Sequence, residues 1–143
     1  MRSTSRLITG RSSFLAVVAL SALAACGSDS STAATVNVAG TYNLQTVDGV
    51  ALPAPGKDAT GAIAGKVNSG ALVLSPGNSY TSVINYVLSN GTPIASSGSG
   101  TYTVSGGTMV LTGSDGKANT VSFTGGNTVT GSVNGQTYVF TKS

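Results

Sequence analysis

Apolar and polar residues alternate with a period of two along most of the chain after residue 36, and this pattern constrains the fold most. In residues 119–124, Val121 and Phe123 alternate with Thr120, Ser122 and Thr124. Successive side chains of a β-strand point to opposite faces, so this alternation predicts half-buried strands. No segment after residue 26 follows the 3.6-residue period of a helix. The runs predict strands at 39–47, 70–75, 79–89, 99–105, 107–113, 119–124, 127–133 and 136–142.

Glycine-containing pairs separate these runs, among them Asn90-Gly91, Asp115-Gly116 and Asn134-Gly135. Asn-Gly and Asp-Gly supply the positive φ angles that tight hairpin turns need. Short turns between consecutive strands predict an all-β protein with an antiparallel up-and-down meander. Closure into a small barrel of about eight strands would remove the exposed edges that an open meander leaves.

The alternation also assigns the faces of the strands. Leu111 is expected to point inward, and its neighbour Thr112 outward. The full set of predicted inward positions is Leu44, Leu72, Leu74, Ile84, Tyr102, Val104, Leu111, Val121, Phe123 and Phe140.

Composition argues against an enzyme. The chain has no His, one Cys and four carboxylates, at Asp29, Asp48, Asp58 and Asp115. Histidine-based acid–base catalysis and histidine-ligated metal sites therefore have no residues to form them. Two of the acids precede glycine, where they bond to the turn backbone. We expect no catalytic residues, no metal site and no cofactor.

The formal net charge of +3 arises from the N-terminus. All three arginines lie in the first eleven residues, and after residue 25 four lysines (57, 66, 117, 142) face four aspartates. A nucleic-acid-binding domain needs a basic patch on its folded part. Four scattered lysines form none, so we expect no nucleic-acid partner.

Residues 1–25 have the organisation of a signal peptide. The three arginines precede a twelve-residue apolar run, from Phe14 to Ala25, broken by one Ser. As a helix this run would span about 18 Å, short of the roughly 30 Å of a bilayer core. The size is instead typical of a signal-peptide apolar region.

Leu23-Ala24-Ala25-Cys26 resembles the lipobox of bacterial lipoproteins. The resemblance implies cleavage before Cys26, acylation of Cys26 and attachment to a membrane of the bacterial cell envelope, facing the periplasm or the exterior. Gly27, rather than Asp, follows the Cys, which favours the outer membrane where one exists. Residues 26–36 are mostly small and polar, and we expect a flexible tether.

The remaining part, residues 37–143, resembles the lipocalin-like domains of bacterial lipoproteins. The resemblance rests on Val38 to Leu44 and on Tyr138, Phe140 and Lys142 near the end. True lipocalins carry a Trp after the first Gly, packed under a basic residue of the last strand. Tyr42 and Lys142 are the corresponding residues here, and the resemblance implies a small up-and-down barrel.

Two functions remain open. In the first, the barrel of a lipid-anchored monomer binds a small apolar or amphiphilic ligand at its mouth, with residues 53–69 as a mobile lid. Tyr80, Tyr86 and Tyr102 are the candidate ligand-binding residues. Residues 51–69 contain two of the four prolines, and we expect a long loop with one short strand near 62–67. In the second, the core is filled, and the barrel contacts envelope partners without a ligand.

Overall fold

The structure is a computed structural model and describes residues 37–143. The predicted signal peptide 1–25, Cys26 and the tether 26–36 lie outside the described residues. Ten strands follow one another along the chain: β1 (Gly40–Val47), β2 (Val50–Ala51), β3 (Ala54–Lys57), β4 (Ile63–Leu74), β5 (Ser79–Leu88), β6 (Pro93–Ser105), β7 (Thr108–Gly113), β8 (Ala118–Thr124), β9 (Thr128–Val133) and β10 (Gln136–Lys142).

The strands form one antiparallel sheet that closes on itself. From β4 to β10 each strand pairs with the next, β10 pairs with β1, and β1 pairs with β4. Eight strands, β1 and β4 to β10, thus make a closed barrel, while β2 and β3 add short pairings to β1 and β4. The all-β, eight-stranded, up-and-down prediction is confirmed. The described residues contain no helix with the length and hydropathy needed to cross a membrane.

The prediction of a long loop over 51–69 is wrong. Residues 54–57 form β3, and residues 63–69 belong to β4, a twelve-residue strand with a register shift between Val67 and Ser69. Proline is tolerated in a strand that pairs along one edge only, and β3 pairs only with β4. The small residues Ala54 and Gly56 are buried in β3, so its inward side lacks the large apolar residues that mark a strand in sequence.

β6 is also longer than predicted, because it begins at Pro93 rather than at 99. Its first half is rich in Ser, Gly and Ala and shows no apolar alternation. It is held by the more apolar β5, with Tyr86 opposite Ile94 and Ile84 opposite Ser96.

Most predicted inward positions are buried. Leu44, Leu72, Leu74, Tyr102, Val121, Phe123 and Phe140 belong to the core, and Ile84 and Leu111 are partly buried against it. The prediction that Val104 is buried is wrong, since this residue is 37% exposed. It lies one pair from the β6–β7 turn and borders a recess that is open to solvent.

The first and last barrel strands meet in the way the resemblance implies. Lys142 Nζ lies 5.7 Å from the centre of the Tyr42 ring and donates a hydrogen bond to the Asn37 carbonyl at 3.2 Å. The Lys142 stem passes over Gly40, where a Cβ would lie 2.6 Å from Lys142 Cε. A side chain at Gly40 would therefore displace the end of the lysine from this position.

Candidate ligand cavity

One end of the barrel, here called the closed end, contains the turns at 75–78, 106–107 and 125–127 and both ends of the described chain. Backbone hydrogen bonds of 2.8 Å link each turn to a neighbouring strand. Their donors are Tyr102, Phe123 and Lys142, and their acceptors are Asn78, Gly107 and Asn127. This end is therefore tied together by its own backbone.

Large side chains fill the interior at the closed end. The Tyr42 and Phe123 rings meet edge to face, with centres 6.4 Å apart and planes at 71°. Tyr42 donates its hydroxyl hydrogen to the Val38 carbonyl at 2.6 Å, and Tyr102 donates to the Ser75 carbonyl at 2.8 Å. Burial raises the pKa of both phenols, Tyr102 adding to the shift at Tyr42.

The opposite end, here called the open end, is less well filled. A cavity of about 150 Å³ lies inside the barrel, lined by residues of six strands. The lining is mainly apolar and includes Tyr80, Ile84 and Leu111, which are only partly buried. The small side chain of Ser82 leaves space in this lining, whereas at Gly131 an added Cβ would lie 2.8 Å from Val121 Cγ1.

A second cavity of about 260 Å³ adjoins the first along β5. Ile84 lines the first cavity and Tyr86 the second, and residues two apart on a strand share a face at a spacing of about 7 Å. Leu88 and Ile94 also line the second cavity, together with Lys57 and other polar residues. The two cavities together have an apolar inner part and a more polar outer part.

Tyr138 lies on the inner cavity, buried to 2% exposure. Burial raises the pKa of its phenol, and the hydroxyl of Tyr86 beside it adds to the shift. Tyr138 thus lines the inner cavity, and Tyr86 lines the outer one. The sequence analysis missed Tyr138 as a site residue, because it counted this tyrosine only as part of the C-terminal strand motif.

Gln136 holds β3 against the open end. Its buried amide donates to the Pro55 carbonyl at 2.9 Å and to Asp48 Oδ2 at 3.2 Å, and accepts from the Lys57 N–H at 2.6 Å. Asp48 also accepts from the Thr137 N–H at 2.8 Å and pairs with Lys57 Nζ at 3.7 Å. We call these contacts the Gln136 network. They fix part of the segment that was expected to be a mobile lid, and its movement on ligand binding stays a prediction.

The three tyrosines predicted to bind ligand do not lie in one place. Tyr80 lines the inner cavity and Tyr86 the outer one. Tyr102 lies at the closed end, where its side chain is buried and its hydroxyl is bound to the Ser75 carbonyl. It borders the larger recess of about 510 Å³, which opens on the outside of the barrel between exposed residues. Cys26 lies outside the described residues.

The aspartates of residues 37–143 bond to nearby backbone. Asp58 accepts from the Thr60 hydroxyl and N–H and from the Ala62 N–H, and these bonds lower its pKa, that of the Thr60 side chain most. Asp115 accepts from the Lys117 N–H. Among the described residues, no three His, Cys, Asp or Glu side chains form a group able to hold a metal ion.

Neither a protein-family model nor a curated protein matches the chain. Among solved structures it is similar to the Cpx pathway activator NlpE from Escherichia coli, at 17% identity and a TM-score of 0.46, over 63% of this chain and 40% of that one. The chain thus spans about two fifths of NlpE's length. It is also similar to a lipocalin-like protein from Bacteroides uniformis, at 15% identity and a TM-score of 0.43, over 74% and 98%. Both TM-scores are below 0.5, so the fold described above rests on the strand pairing of this chain alone.

Proposed function

We propose that the chain is a lipid-anchored lipoprotein of the bacterial cell envelope whose barrel binds a small apolar or amphiphilic ligand. The observation that carries the proposal is the apolar cavity inside the open end, in a barrel whose closed end is filled. The proposed activity is binding without chemistry, which is in keeping with a chain that has no His and four carboxylates.

The volume of the inner cavity limits what it holds. An engineered protein cavity of about 150 Å³ with an apolar lining binds benzene. The inner cavity, at about 150 Å³, is therefore matched to one ring or to the end of a short alkyl chain. A whole long-chain fatty acid would have to extend into the outer cavity and beyond.

The outer cavity favours an amphiphile over a purely apolar compound. Lys57, Asp58 and Asn134 line it together with Tyr86 and Leu88. A polar group placed there would find donors and an acceptor, while the apolar part of the same molecule occupied the inner cavity.

Thermal unfolding tests the ligand proposal on the purified full-length chain, with single-ring apolar compounds and short-chain alcohols and acids as probes. A probe at about one hundred times its Kd should stabilise the protein by roughly 2.7 kcal/mol. Ser82→Leu places a large side chain in the inner cavity and should abolish this shift.

Ser122→Leu is the matched control, because Ser122 is exposed on β8 and borders neither cavity. It should leave the shift unchanged. If no probe stabilises the protein, or if Ser82→Leu keeps the shift, the binding proposal fails. The second function, a barrel that contacts envelope partners without ligand, then takes its place, supported by the filled closed end.

Fractionation of cells tests the anchor separately. Cys26 is the single Cys of the chain and stands at the lipobox position. Two or more acyl chains hold a protein stably on a membrane. Cys26→Ser should therefore move the protein from the membrane fraction to the soluble fraction, whereas retention in the membrane would contradict lipid anchoring.

A further inference from the structure

β6 has one unpaired edge in an otherwise closed barrel. Its pairing with β7 begins at Gly100 and Gly113, whereas its pairing with β5 continues to Pro93. Residues 93–99 therefore have a neighbouring strand on one side only, and all seven residues are exposed. Within residues 37–143 no other strand pairs with this part of β6.

Two backbone hydrogen bonds show which residues face the free edge. The Leu88 N–H donates to the Thr92 carbonyl at 2.9 Å, and the Ser114 N–H donates to the Ser99 carbonyl at 3.0 Å. Backbone groups alternate along an antiparallel strand, so even-numbered residues of β6 face β5 and odd-numbered residues face away. The N–H and C=O groups of Ala95 and Ser97 thus point out of the free edge.

This edge lacks the protection that exposed edges usually have. Natural proteins guard such edges with charged residues, especially Lys, or with bulges and Pro. No charged residue occurs between Lys66 and Asp115, and only Pro93 stands at the start of the edge. The side chains of residues 95–99 are Ala, Ser and Gly, which let another strand come close.

We propose that two copies of this chain associate through these edges, with their β6 strands antiparallel about a twofold axis at Ser96. Ala95 of each copy then lies opposite Ser97 of the other. Both residues point outward, so each such pair exchanges two backbone hydrogen bonds, giving four across the axis. The same patch serves both copies, as a twofold dimer requires.

The bond from the Ser114 N–H to the Ser99 carbonyl ends the free edge at that point. The pairing between copies is therefore confined to residues 94–98, centred on Ser96. Pro93, just outside it, has no N–H to leave unpaired. The uncharged edge creates no repulsion between copies and offers nothing by which a charged partner would be selected. These features favour a second copy over a different protein, and the dimer goes beyond both the proposed ligand and the expected monomer.

Disulfide cross-linking of full-length Ser96→Cys in native membranes tests the dimer. Residues opposite each other at non-hydrogen-bonded positions have Cα atoms about 4.5 Å apart, within the range of about 4.4–6.8 Å that a disulfide spans. Ser96→Cys should give a disulfide-linked homodimer under mild oxidation. Ser122→Cys is the control, since Ser122 is equally exposed but pairs with strands on both sides, and it should give none.

A second variant tests the backbone pairing itself. Ser97→Pro, added to Ser96→Cys, removes an N–H that points away from β5, so the β5–β6 pairing keeps its hydrogen bonds. The cross-link should be lost while thermal unfolding of the reduced protein stays cooperative. The proposal is overturned if Ser96→Cys yields only monomer, if it links to a different protein, if Ser122→Cys links equally well, or if Ser97→Pro leaves the cross-link intact.

Discussion

The two ends of the barrel use similar side chains to different effect. At the closed end Tyr42 and Tyr102 are buried, each with its hydroxyl bonded to a backbone carbonyl. On β5, Tyr86 lies at the open end and is only partly buried. Tyr80 pairs with Leu74 near the closed end, but it lines the inner cavity and is also only partly buried. The difference follows from their neighbours, because small residues such as Ser82 and Gly131 line the open end and half of β6 lacks a second strand. The closed end supplies most of the stable core, and the open end supplies the space for binding.

Truncation of a leucine in the filled core and of one that lines the inner cavity should separate the filled and unfilled parts of the interior most clearly. Leu74 is 1% exposed, and Leu74→Ala should destabilise the protein by about 2–5 kcal/mol, the range for a buried leucine. Leu111→Ala should cost less, since Leu111 is partly exposed and already borders a cavity. Urea unfolding measures both. Thr112→Ala, on the outer face, should change little, and equal losses at Leu74 and Leu111 would contradict the comparison.

Loss of the Gln136 amide should have the next largest effect. Gln136→Ala removes two hydrogen bonds to β3 and one to Asp48, and it leaves the Lys57 N–H and the Pro55 carbonyl without this partner. We expect a loss of about 1–3 kcal/mol. Hydrogen exchange should become faster at Lys57 and remain unchanged at Tyr102. Faster exchange at both residues would mean that the two ends unfold together.

Removal of one hydroxyl at the closed end should have a smaller effect. Tyr42→Phe keeps the ring against Phe123 and Lys142 but loses the hydrogen bond to the Val38 carbonyl. The expected cost in unfolding free energy is about 1 kcal/mol. A cost similar to that of Leu74→Ala would show that the hydroxyl, rather than the packing of the ring, dominates at this position.

Acid should weaken the open end through Asp48. Hydrogen bonds from the Thr137 backbone and the Gln136 side chain, with Lys57 nearby, lower the pKa of Asp48. The folded state thus favours the charged carboxylate, and this contribution is present above about pH 4 and lost as the pH falls through the lowered value. Unfolding of wild type should therefore become easier below about pH 4 than at neutral pH. In Asp48→Asn, the unfolding free energy should decrease less between neutral and acid pH. A decrease identical to that of wild type would show that Asp48 does not cause the acid sensitivity.

The sequence predicted the fold well wherever strands alternate between apolar and polar residues. Val121 and Phe123 are buried as expected, and Lys142 reaches Tyr42 as the resemblance implied. The prediction from sequence failed where a strand forms by pairing with its neighbour and lacks an apolar–polar alternation of its own. β3 contains Pro55 and small residues, and the start of β6 contains mostly Ser and Gly, so neither showed a strand signal.

The candidate site was less predictable than the fold. Tyr80 and Tyr86 were correctly marked as tyrosines of one strand face, but their separation into two adjoining cavities depends on how eight strands come together. The sequence did not indicate the structural role of Gln136, because a single Gln in a strand is common and forms no motif. Its importance comes from β3, a strand nearly eighty residues earlier in the chain.

The pairing of β1 with both β4 and β10 has a consequence for how the chain folds. Tyr42 pairs with Lys142, about 100 residues further on. The backbone groups on one edge of β1 therefore stay unpaired until β10 has formed. Hairpins from β4 to β10 can form locally, but the ring cannot close until synthesis has reached the final strand. Chains dominated by such distant pairings fold in about milliseconds to seconds, whereas helical bundles need only microseconds to milliseconds. The rate at which this protein matures is therefore set by joining its two ends.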